Sequence, residues 1–126
     1  MSGDQGQLPF AEARPDPEQG WVQLAIRSEI PEGEGIARKI GEIELALFRD
    51  GEHIRCLQDF CPHRGAGISD GRVVAGQVIC PWHGWKYALD NGHCSTLPGS
   101  ASAICYEVQV VGEEVWARLV RSNPDA

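Results

Sequence analysis

Apolar residues in this chain come in short runs, and turn signals built on Gly, Asp, Asn and Pro cut in after each of them. No stretch sustains a helical period over about ten residues, which leaves strands as the regular element. Trp21 to Ile26 alternates loosely. Ile36 to Ile40 and Ile43 to Phe48 flank Gly41-Glu42, and Asp50-Gly51 leads into His53 to Leu57. Further strand-like runs are Arg72 to Ala75, Gln77 to Ile79, Trp85 to Leu89, Ile104 to Val111 and Val115 to Val120. Asp90-Asn91-Gly92 and Gly112-Glu113 turn between the later ones. Many short strands at roughly eight- to twelve-residue spacing predict an all-β fold, a small antiparallel β-sandwich or barrel.

At 126 residues there is room for one domain. Residues 1–19 are Pro- and Gln-rich without period and are expected to form a flexible arm, with Phe10 tacked onto the surface. The domain is expected over residues 20–121, followed by a tail at 122–126. Eleven basic residues against 18 acidic ones give a net charge of −7. Such a surface repels phosphate backbones, which excludes nucleic acid and suits a protein partner with a basic docking face. No apolar run approaches membrane-spanning length, and the first twenty residues lack an apolar signal core. A cytoplasmic, monomeric protein off the membrane is expected.

Five cysteines in such a chain point to metal ligation or redox chemistry before a disulfide frame. Two segments echo each other: Cys61-Pro62-His63-Arg64-Gly65 and Cys80-Pro81-Trp82-His83-Gly84. Each places a Cys and a His close enough for one tight loop to present both, so Cys61, His63, Cys80 and His83 form a candidate metal site. Pro62 and Pro81 stiffen the loops, and Gly65, Gly67 and Gly84 permit close approach to a bound object. Zinc accepts two Cys and two His, but its common knuckles are Cys-x-x-Cys and His-x₃₋₅-His, and a Cys-x-His knuckle is unusual there.

The double motif resembles that of the Rieske [2Fe–2S] proteins, in which two His replace two Cys on one iron. The resemblance runs from about Trp21 to Leu119. It rests on Cys61-Pro62-His63-Arg64-Gly65-Ala66, on Cys80-Pro81-Trp82-His83-Gly84-Trp85, and on the lead-in ALFRDGEHIRCLQDFCPH. It implies one [2Fe–2S] cluster per chain, held by two loops at one end of the fold. Cys61 and Cys80 would ligate the inner iron, His63 and His83 the outer. Pro98-Gly99 falls where such proteins carry a third loop over the cluster. High-potential relatives join an extra Cys from each loop in a disulfide; here those positions are Ala66 and Trp82. Where they place a Ser that donates to a bridging sulfide, this chain has Trp85. Tyr87 matches a Tyr that donates to a ligand Cys. Fewer donors leave negative charge less stabilised. The resemblance therefore implies a midpoint at the low end of the class range, no higher than about +100 mV. Arg64 and Trp82 would rim the docking face.

The activity implied is that of a ferredoxin, a one-electron carrier from a flavin-dependent reductase to a terminal oxygenase or another redox protein, with no catalytic residue of its own. An oxygenase needs a second iron on two His and a carboxylate. With His63 and His83 used, His53 and His93 are left, and both adjoin turns where solvated histidines are expected. The competing readings are a nitrite reductase small subunit of the same fold and, from a different class, a zinc-stabilised interaction module. Cys56 and Cys105 are expected to be buried small hydrophobes. Cys94 follows a turn, where a reactive thiol is the lesser reading. Trp21, Trp116 and Tyr106 are core candidates, and Trp85 is expected both in the core and as a shield for the cluster. Asp59 and Asp70 bracket the first loop as turn formers.

Overall fold

The computed structural model describes residues 15–61, 67–81, 84–97, 99 and 101–119. Nine strands are described: β1 (Trp21–Ile26), β2 (Gly35–Ile40), β3 (Ile43–Asp50), β4 (His53–Gln58), β5 (Arg72–Val74), β6 (Gln77–Ile79), β7 (Lys86–Ala88), β8 (Cys105–Val111) and β9 (Glu114–Arg118). Short 3-10 turns, at Pro17–Gln19 and Arg27–Glu29, flank β1. Every strand pairing is antiparallel. Six strands form one sheet in the order β1-β9-β8-β4-β3-β2, and β5-β6-β7 form a second, smaller one. The Arg38 guanidinium on β2 donates from Nε to the Leu24 carbonyl on β1 at 2.9 Å, which brings the two edges of the large sheet together into a near-barrel.

The hairpins follow from their glycines, with one shift from expectation. Asp50 and His53 are a ladder pair, so the turn is Gly51-Glu52 rather than Asp50-Gly51. Gly51 takes φ +64, the left-handed value that a two-residue hairpin with Gly first requires. The Pro17–Gln19 turn lies within the segment expected to be an arm. Asp16 caps it by accepting from Glu18 N at 2.9 Å, and Arg118 Nε donates to the Gln19 carbonyl at 3.0 Å. Phe10 and the 122–126 tail lie outside the described residues.

β3 explains how one sheet serves two cores. Leu45, Ala46, Leu47 and Phe48 are all fully buried. Successive side chains face opposite sides of a strand. Leu45 and Leu47 join Leu24, Ile30, Ile54, Cys56, Val115 and Ala117 in the core enclosed by the large sheet. Ala46 and Phe48 join Leu57, Cys61, Ile68, Val78, Cys80 and Tyr87 in a second core, between the large sheet and the small one. Burying a side chain the size of Leu or Phe contributes about 1.5–3 kcal/mol, so this continuous apolar run is a principal stabilising element. Trp21, Trp116 and Tyr106, expected in the core, are only half-buried. Trp116 stays at the surface because its indole N–H donates to Glu114 Oε1 at 3.0 Å, a bond that sits between the two side chains on the outer face.

Candidate metal centre

The segment between β4 and β8 carries the candidate ligands, and its two ends are neighbours. Leu57 and Cys105 pair in the ladder, and Gln58 N donates to the Ile104 carbonyl at 2.8 Å. The insertion thus begins and ends at one point of the large sheet, with β5, β6 and β7 inside it.

The first loop leaves β4 through Asp59, whose N–H donates to the Glu44 carbonyl at 2.8 Å. Cys61 follows, fully buried. The chain returns at Gly67, and Ile68 is again fully buried. The Asp59 carboxylate spans the loop. Oδ1 accepts from Ile68 N at 2.6 Å and from Ser69 N at 2.8 Å, and Oδ2 accepts from Ser69 Oγ at 2.9 Å. Asp59 is a turn former, as the sequence suggests, but it acts on residues nine and ten positions away. Nothing in local sequence pattern signals that reach. Asp70 is exposed.

The second loop is tighter. Cys80 directly follows β6, and its N–H donates to the Trp85 carbonyl at 2.7 Å, while Gly84 N donates to the Cys80 carbonyl at 3.2 Å. Cys80 is buried, and half-buried Trp85 packs against the core that holds both cysteines. Tyr87, two residues on, is fully buried and puts its hydroxyl 3.4 Å from Cys61 Sγ. One side chain from the strand after the second loop therefore touches the cysteine of the first. A third segment lies alongside: Ser95 N donates to the Lys86 carbonyl at 2.9 Å, and Lys86 N donates to Thr96 Oγ1 at 2.9 Å. Phe60, just before Cys61, is 45% exposed, and Leu97, at the end of this third segment, is 52% exposed. Exposed aromatic and branched side chains beside a buried site are a surface feature that the strand pattern did not single out.

Of the expected site residues, the structure describes Cys61, Cys80, Trp85 and Tyr87 and brings them into one core. His63, Arg64, Trp82, His83 and Pro98 lie outside the described residues, as does Ala66. Among the described residues no group of three or more His, Cys, Asp or Glu gathers as a metal site, because half of the expected ligand set is not among them.

The other cysteines separate cleanly from this pair. None of the five is in a disulfide. Burial, reinforced by neighbouring Cys105, pushes the Cys56 thiol up to about 12. Burial and the nearby Asp90 push Cys105 up to about 11, although Arg55 draws it back. Both stay protonated at neutral pH, as buried hydrophobes do; Cys105 is half-buried rather than fully enclosed. Cys94 is buried within the same core as Tyr87, which disfavours a reactive thiol. His53 and His93 are exposed, as expected of loop histidines.

A [2Fe–2S] group fits what is described. One buried cysteine stands on each of two loops, and both belong to one core. A pair of buried thiolates is costly in apolar surroundings unless positive charge compensates it, which ferric iron supplies. The Tyr87 hydroxyl is placed to donate to one such sulfur.

Comparison with known proteins agrees. The family model of the Rieske [2Fe-2S] domain matches residues 20–111. Protein TIC 55 of the pea chloroplast (Pisum sativum) is 30% identical over 114 residues, 82% of this chain but 20% of that protein. The chain spans about a fifth of the length of the first curated relatives it matches. The ferredoxin component of the naphthalene 1,2-dioxygenase/salicylate 5-hydroxylase systems of a Ralstonia species is 26% identical over 101 residues, 80% of this chain and 97% of that one. Among solved structures, a chain from the complex of reduced oxygenase and oxidized ferredoxin in carbazole 1,9a-dioxygenase superposes with a TM-score of 0.75 at 24% identity. The match covers 83% of this chain and 98% of that one.

Proposed function

The chain belongs to the Rieske [2Fe–2S] domain family, and from that premise we propose that it is a ferredoxin-type carrier of single electrons between a flavin-dependent reductase and a terminal oxygenase. The observation that carries this reading is the pair of buried cysteines, one per loop, in one core, with the Tyr87 hydroxyl against Cys61. The match along nearly the whole of a dioxygenase-system ferredoxin supports a carrier rather than an oxygenase. In this reading Cys61, His63, Cys80 and His83 hold the cluster, and the protein acts as a cytoplasmic monomer. No described helix is long and apolar enough to cross a membrane.

When bound, the group supplies a site that accepts one electron at modest cost. With two thiolates from Cys61 and Cys80 and two neutral imidazoles from His63 and His83, the oxidised group would carry no net charge, two units less negative than an all-Cys set. The chain's own residues set the rest. Burial of Cys61 and Cys80 keeps water from the sulfurs. Tyr87 donates to Cys61, because a ligating thiolate can only accept. Trp85 packs over the core at the position where a hydroxyl donor would raise the potential. As ligands, His63 and His83 would each keep one ring nitrogen for solvent or a partner. Phe60 and Leu97 are exposed, and Arg64, Trp82 and Pro98 would join them in the rim on which the partner docks. The three segments 60–67, 81–86 and 95–102 hold no acidic residue, so that rim is apolar and basic although the chain as a whole carries −7.

The test is a redox titration of anaerobically purified protein, followed by electron paramagnetic resonance and by iron and acid-labile sulfide analysis. A reduced-state Rieske signal with a midpoint no higher than about +100 mV is the expected result. Stoichiometric zinc without iron or sulfide would overturn the reading. The same signal at a much higher potential would overturn the part assigned to Trp85.

A further inference from the structure

We propose that Asp59 is a positioning residue for the metal centre: its carboxylate latches Ile68 and Ser69, after the first loop, to the chain just before it, and so holds the frame from which Cys61 is presented. This rests on the ligand assignment proposed above. Cys61 before the loop and Ile68 after it are both fully buried. Between these anchors the chain must hold two ligands at a fixed separation, and a ligand loop with mobile ends loses metal affinity through entropy.

Asp59 removes that freedom with three bonds from one side chain. Two backbone N–H groups, of Ile68 and Ser69, converge on Oδ1, and the Ser69 hydroxyl donates to Oδ2. The carboxylate is itself fixed, because the Asp59 N–H is bonded to the Glu44 carbonyl on β3. The latch therefore ties the loop's exit to the large sheet and not merely to its own entry. Gly67 shows how closely the chain passes: a Cβ built there would sit 3.0 Å from Asp59 Oδ1. The three bonds are short, at 2.6, 2.8 and 2.9 Å. Asp59 acts through the backbone N–H groups of Ile68 and Ser69, on the far side of the loop from Cys61.

The experiment compares wild-type protein with Asp59→Ala, Asp59→Asn and Ser69→Ala, each purified anaerobically. Iron release into excess chelator is followed by loss of visible absorbance, and the resonance spectrum of the reduced protein is recorded. Asp59→Ala should shed iron about 10- to 100-fold faster than wild type, the usual effect of removing a residue that orients metal ligands. Asparagine keeps a carbonyl oxygen for the two N–H groups and an amide that can meet Ser69 Oγ, so Asp59→Asn should stay within about threefold of wild type. Ser69→Ala removes one bond of the three and should fall between, which keeps the test open if Asp59→Ala does not fold. Any cluster remaining in the alanine variants should give a broadened signal, since ligand geometry is then heterogeneous. Iron release at the wild-type rate from Asp59→Ala, or from Ser69→Ala if the former is lost, would overturn the latch. So would Asp59→Asn shedding iron as fast as alanine, since charge rather than geometry would then be at work. Wild-type protein without iron and sulfide would instead sink the ligand assignment, so the two failures are distinct.

Discussion

At the scale of single residues, the site is governed by which polar group each sulfur meets. Among the described residues Tyr87 is the largest fully buried side chain, and its hydroxyl has Cys61 Sγ at 3.4 Å. With Cys61 ligating iron, the hydroxyl donates, and it stabilises the more negative reduced state over the oxidised one. A difference of about 1 kcal/mol between the two states is typical of one such bond and corresponds to roughly 40 mV for a one-electron couple. Tyr87→Phe is therefore expected to lower the midpoint by about that amount while the protein keeps its iron. Direct electrochemistry of the two proteins measures it, and an unchanged or raised midpoint would mean that the hydroxyl does not donate to the sulfur. The candidate ligand pattern rests on local spacings, Cys-x-His and Cys-x-x-His, and of it the structure describes Cys61 and Cys80 and places both in one core. The latch from Asp59 was not legible in the sequence, because its partners stand nine and ten residues further on and are mostly backbone N–H groups, which have no sequence signature. The half-exposure of Trp21, Trp116 and Tyr106 was likewise illegible: an alternating strand says that a side chain faces inward or outward, not how completely the next strand covers it.

At the scale of elements, strands and turns were largely written in the sequence, since glycine marks hairpins through φ alone. Asp50-Gly51 shows the remaining freedom. Both one-residue frames are compatible with the apolar alternation nearby, and pairing Asp50 with His53 keeps Leu47 and Phe48 on their proper faces. What the sequence did not reveal is that β3 is buried on both sides, so that Leu45 and Leu47 serve one core and Ala46 and Phe48 the other. The turn after β7 makes a sharper point. Gly92 adopts φ +77, accepts from Ala103 N at 2.8 Å and donates to the Ala88 carbonyl at 2.7 Å. A Cβ there would run into the Ala103 carbonyl and lie 3.3 Å from Cys105 Sγ. Gly41 has a comparable φ, +61, but nothing within 4 Å of its virtual Cβ. Gly41→Ala is thus expected to cost only the left-handed penalty, about 1–2 kcal/mol. Gly92→Ala adds a backbone collision and should cost more than about 3 kcal/mol, among the larger effects of point substitutions. Thermal unfolding of both variants decides it. Equal losses would show that the segment before β8 yields easily and does not pin the small sheet.

For the whole molecule, the consequence is a division of labour between two cores of unequal independence. The large sheet is built from strands of five to eight residues and encloses its own core. The small sheet consists of three strands of three residues each. So small a sheet is not stable alone, and what holds it is the shared core containing Cys61, Cys80 and Tyr87. Metal binding to loops of this kind contributes folding free energy directly. With Cys61 and Cys80 as the proposed ligands, removing iron would leave two thiols in place of charged ligands, and the neighbouring strands would lose a crosslink. The insertion starts and ends at the Leu57–Cys105 pair, so it can open without parting β4 from β8. Chelator-stripped protein is therefore expected to keep amide protection in β3, β4, β8 and β9, while β5, β6 and β7 exchange at least about 100-fold faster than in the iron-loaded form, as sub-global opening of one cooperative unit predicts. Hydrogen exchange read by mass spectrometry on both forms resolves the two sheets. A uniform rise across both would mean that the centre supports the entire fold and that the barrel cannot stand without it. Protection unchanged everywhere would mean that the small sheet is held by Phe48, Leu57 and Val78 alone, and that the cluster is a guest in a site already rigid before it arrives.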